Sequence, residues 1–255
     1  METVIIGSGN VATVLAEKLS ANGVAITQII ARNPNTGKAL AEKTKAQYTD
    51  DYNRIVLNAD VYIICVQDDF LPETAQKLEK VLPKDRLVVH TTGSASIKIL
   101  EKVSSRYGVL YPLQSLRKEN SSVKEMPLFL DANIPETLST LELLANKISF
   151  NIGFADDEQR IRLHIAAVFV SNFPNYLYTI AESFSRQHGI DFSFLLPLME
   201  ESVSRLHRFA PKEIQTGPAA RGDLSTIQKH ESILQKENPE ILEVYRFLTR
   251  KILDR

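Results

Sequence analysis

The chain begins with a short apolar run, a glycine-rich turn and a helical pattern that follow one another without a break. The apolar residues at positions 4–6 predict a buried parallel strand, and the next apolar residues recur at helical spacing: Val11, Val14, Leu15 and Leu19. The turn between them follows the pattern Gly-x-Gly-x-x-Ala, with Gly7, Gly9 and Ala12 at its fixed positions. Because this is the alanine-ended form of the dinucleotide-binding fingerprint, the stretch predicts a nucleotide site in an α/β fold.

Each fixed position of this turn has a chemical reason. Gly7 permits the tight turn, Gly9 lets the backbone approach a pyrophosphate, and Ala12 is small enough for the helix to pack on the strand. The helix N-terminus offers free N–H groups and a partial positive charge to the phosphates. We therefore predict that the following residues contact the dinucleotide: Gly7, Ser8, Gly9, Asn10 and Val11. The alternative is a tight turn without a ligand.

The composition excludes several classes of protein. A chain of 255 residues with a formal net charge of -1 is long enough for one or two domains and has no broad basic surface for nucleic acid. No apolar run is long enough to span a bilayer, and because the N-terminus enters a predicted strand directly we expect no signal peptide. Cys65, the only cysteine, lies in an apolar run and is expected to be a buried structural thiol. We expect a cytoplasmic protein that binds a small-molecule substrate and neither nucleic acid nor a membrane.

The end of the second predicted strand, over residues 25–30, indicates which dinucleotide binds. In this fold the tip of that strand lies beside the adenosine ribose, where an NAD enzyme usually has Asp or Glu. This chain has Arg32 and Asn33 there. A guanidinium can pair with a 2′-phosphate and stack on adenine, so the residues favour NADP as the cofactor. The alternative is that Arg32 is a solvated arginine at a strand end.

Three further strands are predicted over residues 61–66, 86–89 and 107–111, and each ends in a loop at the ligand-binding edge of the sheet. The first two loops carry further predicted cofactor contacts: Val66, Gln67, Thr91, Thr92 and Gly93. The third carries predicted substrate contacts: Tyr111, Gln114 and Ser115. His90 either orients a substrate or donates a proton to it, since imidazole titrates near neutrality, or is bonded to the backbone of its turn.

The alternation of strands and helices changes near residue 153. Two last strands are predicted over residues 127–131 and 147–151, so residues 1–152 are predicted to form a doubly wound, Rossmann-like α/β domain that binds NADP. Residues 153–255 predict an all-α domain, with a long helix over 157–187 that stops at Gly189 and later helices over 192–208, 224–236 and 239–253. Such a domain closes a Rossmann cleft and often supplies a dimer interface.

The long predicted helix carries two candidate catalytic residues. His164, Val168 and Asn172 are spaced four apart and therefore share a helix face. Asparagine is a poor helix former, so Asn172 either binds a substrate oxygen through its amide or bonds a neighbouring carbonyl. His164 has the same two alternatives. No set of histidines and acids has the spacing of a metal site.

A glycine- and proline-punctuated loop over residues 216–223 carries the last two candidates. Arg221 is suited to anchor a carboxylate or phosphate of the substrate. Asp223 belongs to the same predicted substrate site and can also cap the following helix. The alternative is an ordinary loop between helices.

Taken in order, the glycine turn, His90-Thr91-Thr92-Gly93, residues 111–115 and residues 217–223 carry a family resemblance over nearly the whole chain. The chain resembles a bacterial family of proteins classed as NADP oxidoreductases, in which a Rossmann-like domain precedes a helical domain of unknown function. More distantly it is similar to pyrroline-5-carboxylate reductase, the coenzyme F420-dependent NADP reductases and the β-hydroxyacid dehydrogenases. These relatives imply hydride transfer and a homodimer formed through the helical domain.

One departure from these relatives concerns the proton donor. The β-hydroxyacid dehydrogenases use a Lys-x-x-x-Asn pair, and here Asn172 matches the asparagine whereas Val168 occupies the lysine position. Since valine cannot donate a proton, His164 or His90 takes that role, or the chemistry differs. Pyrroline-5-carboxylate reductases manage without that lysine.

The resulting hypothesis is an NADP(H)-dependent oxidoreductase acting on a small polar imine, keto or hydroxy-acid substrate. A non-catalytic NADP-binding sensor or regulatory protein is the alternative that the missing lysine motivates. A methyltransferase using S-adenosylmethionine is a weaker option, because it would prefer an acid where Arg32 stands.

Overall fold

One mixed sheet dominates the first part of the protein, seen in a computed structural model that describes residues 1–119, 123 and 125–254. Its strands in chain order are β1 (Glu2–Ile6), β2 (Ala25–Ile30), β3 (Gln47–Thr49), β4 (Val61–Ile64), β5 (Leu87–His90), β6 (Arg106–Pro112), β7 (Leu128–Ala132) and β8 (Ile152–Phe154). Their order across the sheet is β3-β2-β1-β4-β5-β6-β7-β8. The β6–β7 pair is antiparallel and the other neighbouring strands are parallel. The predicted α/β fold class is therefore confirmed.

Helices cover both faces of this sheet, which is why β1 is apolar without interruption. The helices that alternate with the strands are α1 (Asn10–Ala21), α2 (Pro34–Thr44), α3 (Leu71–Val81) and α4 (Pro135–Ala145). Successive residues of β1 point to opposite faces, so Ile5 packs into one core with Leu15 of α1, and Val4 into another core with Leu78 of α3.

The remaining helices follow β8, and no strand occurs among the residues described after it. They are α5 (Asp157–Ala167), α6 (Phe173–Gln187), α7 (Leu196–Arg205), α8 (Leu224–Glu237) and α9 (Pro239–Leu253). A π-helical turn, Val168–Asn172, separates α5 from α6, and Gly189 follows α6 with a φ of 67° as predicted for its stop. Among the described helices, none is both long and apolar enough to cross a membrane.

One predicted strand at the far edge of the sheet is corrected. The strand predicted over residues 147–151 is wrong, because the N–H groups of Ile148 and Ser149 donate to the Ala145 carbonyl and continue the end of α4. The last strand begins at Ile152 instead. Ile148 packs against the core while Phe150 is fully exposed, so the alternation of apolar residues that predicted a strand does not produce a buried face.

The chain divides into two compact units, Met1–Asn172 and Phe173–Arg255. The division lies 20 residues beyond the boundary predicted between residues 152 and 153. The reason is that β8 pairs with β7, and α5 is anchored to the same unit by Arg160, which pairs with Asp131 of β7. The sheet unit thus contains residues 153–172, about the first fifth of what the sequence predicted as the helical domain.

Candidate functional site

The glycine turn after β1 has the geometry that its sequence predicts. Gly7 has a φ of 126°, and a Cβ there would collide with the carbonyl oxygen of Cys65, so the position requires glycine. Gly9 has open space around the position of a Cβ, which leaves its backbone accessible. It is the N-cap of α1 and provides no side-chain cap, so the first N–H groups of the helix remain available to an anion.

A cleft of about 720 Å³ lies over this turn and is called the glycine-turn cleft below. Seven of the predicted cofactor residues line it: Gly7, Ser8, Gly9, Arg32, Asn33, Val66 and Gln67. Asn10 and Val11 do not line it. The Asn10 Oδ1 accepts from the Lys118 N–H at 3.3 Å, and Val11 packs against the core. Any contact of these two residues with a phosphate therefore involves their backbone N–H groups at the start of α1.

Arg32 lies at one end of the glycine-turn cleft, on the ring of Phe70. The guanidinium carbon is 3.9 Å from the ring centroid, so the planar cation stacks on an aromatic face and its edge stays exposed. Glu73 also lines the cleft and pairs with Lys77, with 2.7 Å between Oε1 and Nζ. This ion pair holds the pKa of Glu73 below its usual range. The end of the cleft therefore combines two cations with one carboxylate.

Asn33 has a role that sequence reasoning missed. Its Oδ1 accepts from the N–H groups of Asn35 and Thr36 at 3.0 and 3.3 Å, which makes it the N-cap of α2. The signal was present in the sequence, because asparagine directly before a proline at the first helical position is typical of a helix start. Its side-chain carbonyl is therefore occupied, and its amide nitrogen remains for a ligand.

Cys65 lies beside the glycine turn and is buried. Burial raises the pKa of its thiol to about 12, partly offset by a hydrogen bond with Thr91. The prediction of a buried thiol is confirmed, and a group with this pKa is not a thiolate nucleophile near neutral pH.

A second cleft, of about 650 Å³, lies where β6 ends and α5 passes, and is called the β6–α5 cleft. It brings together five residues predicted for substrate or catalysis: Tyr111, Gln114, Ser115, His164 and Asn172. The Tyr111 Oη lies 3.0 Å from His164 Nδ1. Gln114 is fixed by its own loop, since its amide nitrogen donates to the Glu125 carbonyl at 3.1 Å. The arrangement can hydrogen-bond a small polar molecule through hydroxyl, amide and imidazole groups.

The π-helical turn changes the helix face that the sequence predicted. A spacing of four places residues on one face only in a regular α-helix, and the turn Val168–Asn172 has a wider repeat. His164 and Asn172 line the β6–α5 cleft, but Val168 does not. The prediction that all three share a face is therefore wrong for Val168, the position at which the β-hydroxyacid dehydrogenases have their lysine.

His90 ends β5 and is fully buried, outside the residues that line the two clefts. Its Nδ1 accepts from the Thr92 N–H at 3.3 Å. Burial, and next the charge of Arg160, lower its pKa to about 4, so the ring is neutral at physiological pH. This geometry favours the alternative of a histidine bonded to the backbone of its turn, and the catalytic role of His90 stays a prediction.

The three residues after His90 are also buried, and none of them lines either cleft. Thr91 continues the sheet, because its N–H donates to the Ile64 carbonyl at 3.2 Å. A Cβ on Gly93 would lie 3.0 Å from the His164 ring and 3.1 Å from the Tyr111 ring. Gly93, one of the predicted cofactor contacts on this loop, therefore leaves space for the two rings of the β6–α5 cleft, which a larger residue would crowd.

Arg160 is the buried charged residue that sequence reasoning missed. It is 1% exposed, and its Nη2 lies 2.6 Å from Asp157 Oδ1 and 2.5 Å from the Ala95 carbonyl oxygen. Burial raises the pKa of Asp131, its other partner at 3.7 Å, more than the arginine charge lowers it. In the sequence, the only signal for a buried ion pair was the presence of the acids Asp131 and Asp157. An arginine in a polar first helical turn normally predicts a solvated side chain.

Arg221 and Asp223 belong to the second unit. Asp223 is the N-cap of α8, with its Oδ1 accepting from the Thr226 N–H at 3.1 Å, and this hydrogen bond keeps its pKa below the usual range. The predicted cap is therefore confirmed. Arg221 is exposed at the end of a short 3₁₀ turn. Their contact with a substrate stays a prediction.

The comparisons with known proteins agree with this architecture. The family described as "NADP oxidoreductase coenzyme F420-dependent" matches residues 2–94, and "Domain of unknown function (DUF2520)" matches residues 126–252. A putative NADP oxidoreductase from Bacteroides fragilis is 35% identical and superimposes with a TM-score of 0.94, covering 100% of this chain and 98% of that one. No protein with a curated description matches the sequence.

Two more distant structures share the fold. Pyrroline-5-carboxylate reductase from Coxiella burnetii is 20% identical, with a TM-score of 0.60 over 99% of this chain and 96% of that one. A reductive aminase from Aspergillus terreus, solved with NADPH and ethyl-5-oxohexanoate, is 15% identical, with a TM-score of 0.73 over 99% of this chain and 93% of that one.

The fold, the glycine turn and the matches to known proteins together define an oxidoreductase of the NAD(P)-binding Rossmann type. Within that class, the chain belongs to the family of the Bacteroides fragilis protein, with a Rossmann-like domain followed by the DUF2520 region. Its cofactor class is accordingly a nicotinamide dinucleotide. Among the described residues, no group of three or more His, Cys, Asp or Glu side chains is placed to hold a metal ion.

The buried His90 predicts a measurable pH dependence of stability. Because its folded pKa of about 4 lies below the ordinary value near 6.5, the unfolded chain binds a proton first as the pH falls. The free energy of unfolding should drop by about 2 kcal/mol from pH 7 to pH 5 through this group alone. Urea titrations at both pH values should show this loss reduced in His90→Gln and retained in His207→Gln, a control at an exposed histidine. An equal pH dependence in the two variants would contradict a neutral buried His90.

Proposed function

We propose that the protein is an NADP(H)-dependent oxidoreductase that transfers a hydride between nicotinamide and a small polar imine, keto or hydroxy-acid substrate. The observation that carries the proposal is Arg32, stacked on Phe70 at the end of the glycine-turn cleft, where an NAD enzyme would have an acid. A guanidinium held in this way has its donor edge free for the 2′-phosphate of NADP.

The glycine-turn cleft suits a dinucleotide in both shape and charge. A Cβ at Gly7 is excluded by the Cys65 carbonyl, Gly9 is open, and the start of α1 carries no acidic residue in its first turn. The backbone of residues 7–11 would hold the pyrophosphate against the positive end of α1. Arg32 would hold the 2′-phosphate, with its guanidinium kept in place by stacking on Phe70.

The order of the strands supports placing the nicotinamide near the β6–α5 cleft. Ile6, Ile64 and His90 pair in register at the same edge of the sheet, and His90 pairs onward with Val109 of β6. From β2, which carries Arg32, to β6, which carries Tyr111, there are four strand spacings, or about 19 Å. A dinucleotide extended along this edge from Arg32 would bring its nicotinamide toward the β6–α5 cleft.

The nicotinamide, when bound, supplies or accepts the hydride. The residues of the β6–α5 cleft would position the substrate beside it. The Asn172 amide and the Ser115 hydroxyl can donate to a substrate oxygen, and His164 with Tyr111 can exchange a proton with it. Arg221, contributed by a second copy of the chain, would anchor a carboxylate.

A homodimer formed through the second unit is part of the proposal. That unit exposes large apolar side chains on several helices: Tyr176, Ile190, Phe194, Leu198, Val203, Phe209 and Phe247. A monomeric protein rarely exposes so many, and a second copy of the same helices would cover them. The resemblance to dimeric relatives supports the same occupant.

A non-catalytic NADP-binding sensor is the alternative that one observation favours. Val168 stands at the lysine position of the β-hydroxyacid dehydrogenases, and the buried His90 does not replace that proton donor. The sensor predicts tight NADPH binding without cofactor oxidation in the presence of imines, keto acids or aldehydes. Cofactor oxidation that is lost in Asn172→Ala would exclude it.

Replacing Arg32 with aspartate tests the cofactor assignment. Arg32→Asp removes the partner of the 2′-phosphate and adds repulsion, so NADPH affinity should fall by about 10- to 150-fold, the range expected for hydrogen bonds to charged groups. NADH affinity should change far less. The matched control is Arg54→Asp, the same charge change at an arginine that does not line the glycine-turn cleft. Equal losses for NADPH and NADH in the Arg32 variant would remove the 2′-phosphate role.

Sedimentation equilibrium tests the dimer. The protein should sediment as two chains of 28.6 kDa each. Phe194→Glu places a charge on the exposed apolar surface of the second unit and should shift the population toward monomer. Leu143→Glu, a control at a leucine of α4 in the first unit that is 66% exposed against 78% for Phe194, should leave the mass unchanged. A monomeric unsubstituted protein would contradict the proposal.

A further inference from the structure

The Tyr111 hydroxyl is the polar group in the β6–α5 cleft that is best placed to donate a proton. It lies 3.0 Å from His164 Nδ1, and both side chains line the cleft. We infer that Tyr111 is the catalytic proton donor of the reductive direction and that His164 restores its proton. The inference rests on the proposed function, since it names the acid that hydride transfer to a C=N or C=O bond requires.

Contact between a tyrosine and a histidine is not by itself sufficient to define such a donor. A second pair, His230 Nδ1 and Tyr245 Oη, lies 2.9 Å apart on α8 and α9. That pair is exposed and lines neither cleft, whereas Tyr111 is 7% exposed and lines the β6–α5 cleft. The pair of Tyr111 and His164 differs because it lines a cleft together with Asn172 and Ser115.

The backbone at Gly93 lies close to the rings of both Tyr111 and His164. A Cβ on Gly93 would approach both the His164 ring and the Tyr111 ring within about the closest distance that real Cβ atoms show. The rings meet edge to face, with 6.2 Å between centroids and 70° between planes. Glycine at this position therefore allows the loop after β5 to pack directly against both rings.

The surroundings keep Tyr111 in its protonated form. Burial raises its pKa, the charge of Arg160 lowers it, and the charge of Asp68 raises it again, with burial the largest effect. A phenol in this environment carries its proton at neutral pH and can donate it. His90, the other candidate in the sequence, is enclosed behind the same loop.

The step balances in atoms and electrons. The substrate carbon gains the hydride, and the π electron pair of the C=N or C=O bond moves to the nitrogen or oxygen. That atom forms a bond to the proton that leaves the Tyr111 Oη. The phenolate then takes a proton from Nδ1 of His164, and the ring takes up a proton from solvent hydronium, which leaves water, so the net step consumes the hydride and one solvent proton. The products are an amine or alcohol, the oxidised cofactor and an unchanged pair of side chains.

Tyr111→Phe removes the donor and retains the ring against Gly93. We expect kcat for NADPH oxidation with 1-pyrroline or pyruvate to fall by about 100-fold or more, the effect of losing a general acid. The affinity for NADPH should stay unchanged, and KM should change far less than kcat. The matched control is Tyr107→Phe, a partly buried tyrosine on the same strand that lines neither cleft.

A second readout needs neither cofactor nor substrate. In the ¹⁵N spectrum of labelled histidines, Tyr111→Phe should shift the Nδ1 resonance of His164, and Tyr107→Phe should not. An unshifted resonance in Tyr111→Phe would show that the contact does not exist in solution and would overturn the inference.

The outcomes separate the donor role from the proposed function. Retained kcat in Tyr111→Phe would overturn the donor role and leave the oxidoreductase standing. Absence of turnover by the unsubstituted protein with both probes would overturn the proposed function and the donor role together. A loss of kcat equal to that of the Tyr107→Phe control would also overturn the donor role.

Discussion

The close approach of Gly7 to the carbonyl of Cys65 is the contact on which the rest of the site depends. The Gly7 N–H donates to the Ile30 carbonyl at 2.8 Å, and the Cys65 N–H donates to the Ile6 carbonyl at 2.7 Å, so the turn is bonded to the strands on both sides. These bonds leave the chain no space for a side chain at residue 7. They direct it into α1 with its first N–H groups open to the glycine-turn cleft.

A buried charge organises the other end of the same sheet edge. Arg160 binds Asp157 and the Ala95 carbonyl, and thereby joins α5 to the loop that follows β5. Burial alone would raise the pKa of Asp157, but hydrogen bonds from Ser96, the Ile97 N–H and Arg160 outweigh it and keep the carboxylate charged. Because a buried ion pair is costly to break, this connection fixes where α5 passes the sheet. The position of α5 in turn brings His164 to Tyr111.

The fold could be predicted from sequence where one local pattern determined each element. The apolar run before Gly7 and the residues at the end of β2 obey short-range rules of strand and turn, and these elements and the α/β class are as predicted. Asn33 also follows a local rule, that of a helix N-cap, but it was predicted only as a cofactor contact.

The features that could not be predicted depend on contacts between distant residues. Arg160 reaches Asp131 and Ala95, which lie 29 and 65 positions away, and no local pattern specifies that pairing. The π-helical turn, after which Val168 does not line the β6–α5 cleft, could likewise not be predicted from a residue spacing that assumes a regular α-helix. Three residues predicted from the sequence for substrate binding or catalysis nevertheless lie together, since Tyr111, His164 and Asn172 line one cleft.

The most direct test of the account is calorimetric titration of the purified protein with NADPH and with NADH under identical conditions. The account predicts clear preference for NADPH, because Arg32 lines the glycine-turn cleft just after β2, at the position where an NAD enzyme usually has an acid. Equal affinity for the two cofactors would contradict the role of Arg32. Binding of neither would contradict the assignment of the cleft itself.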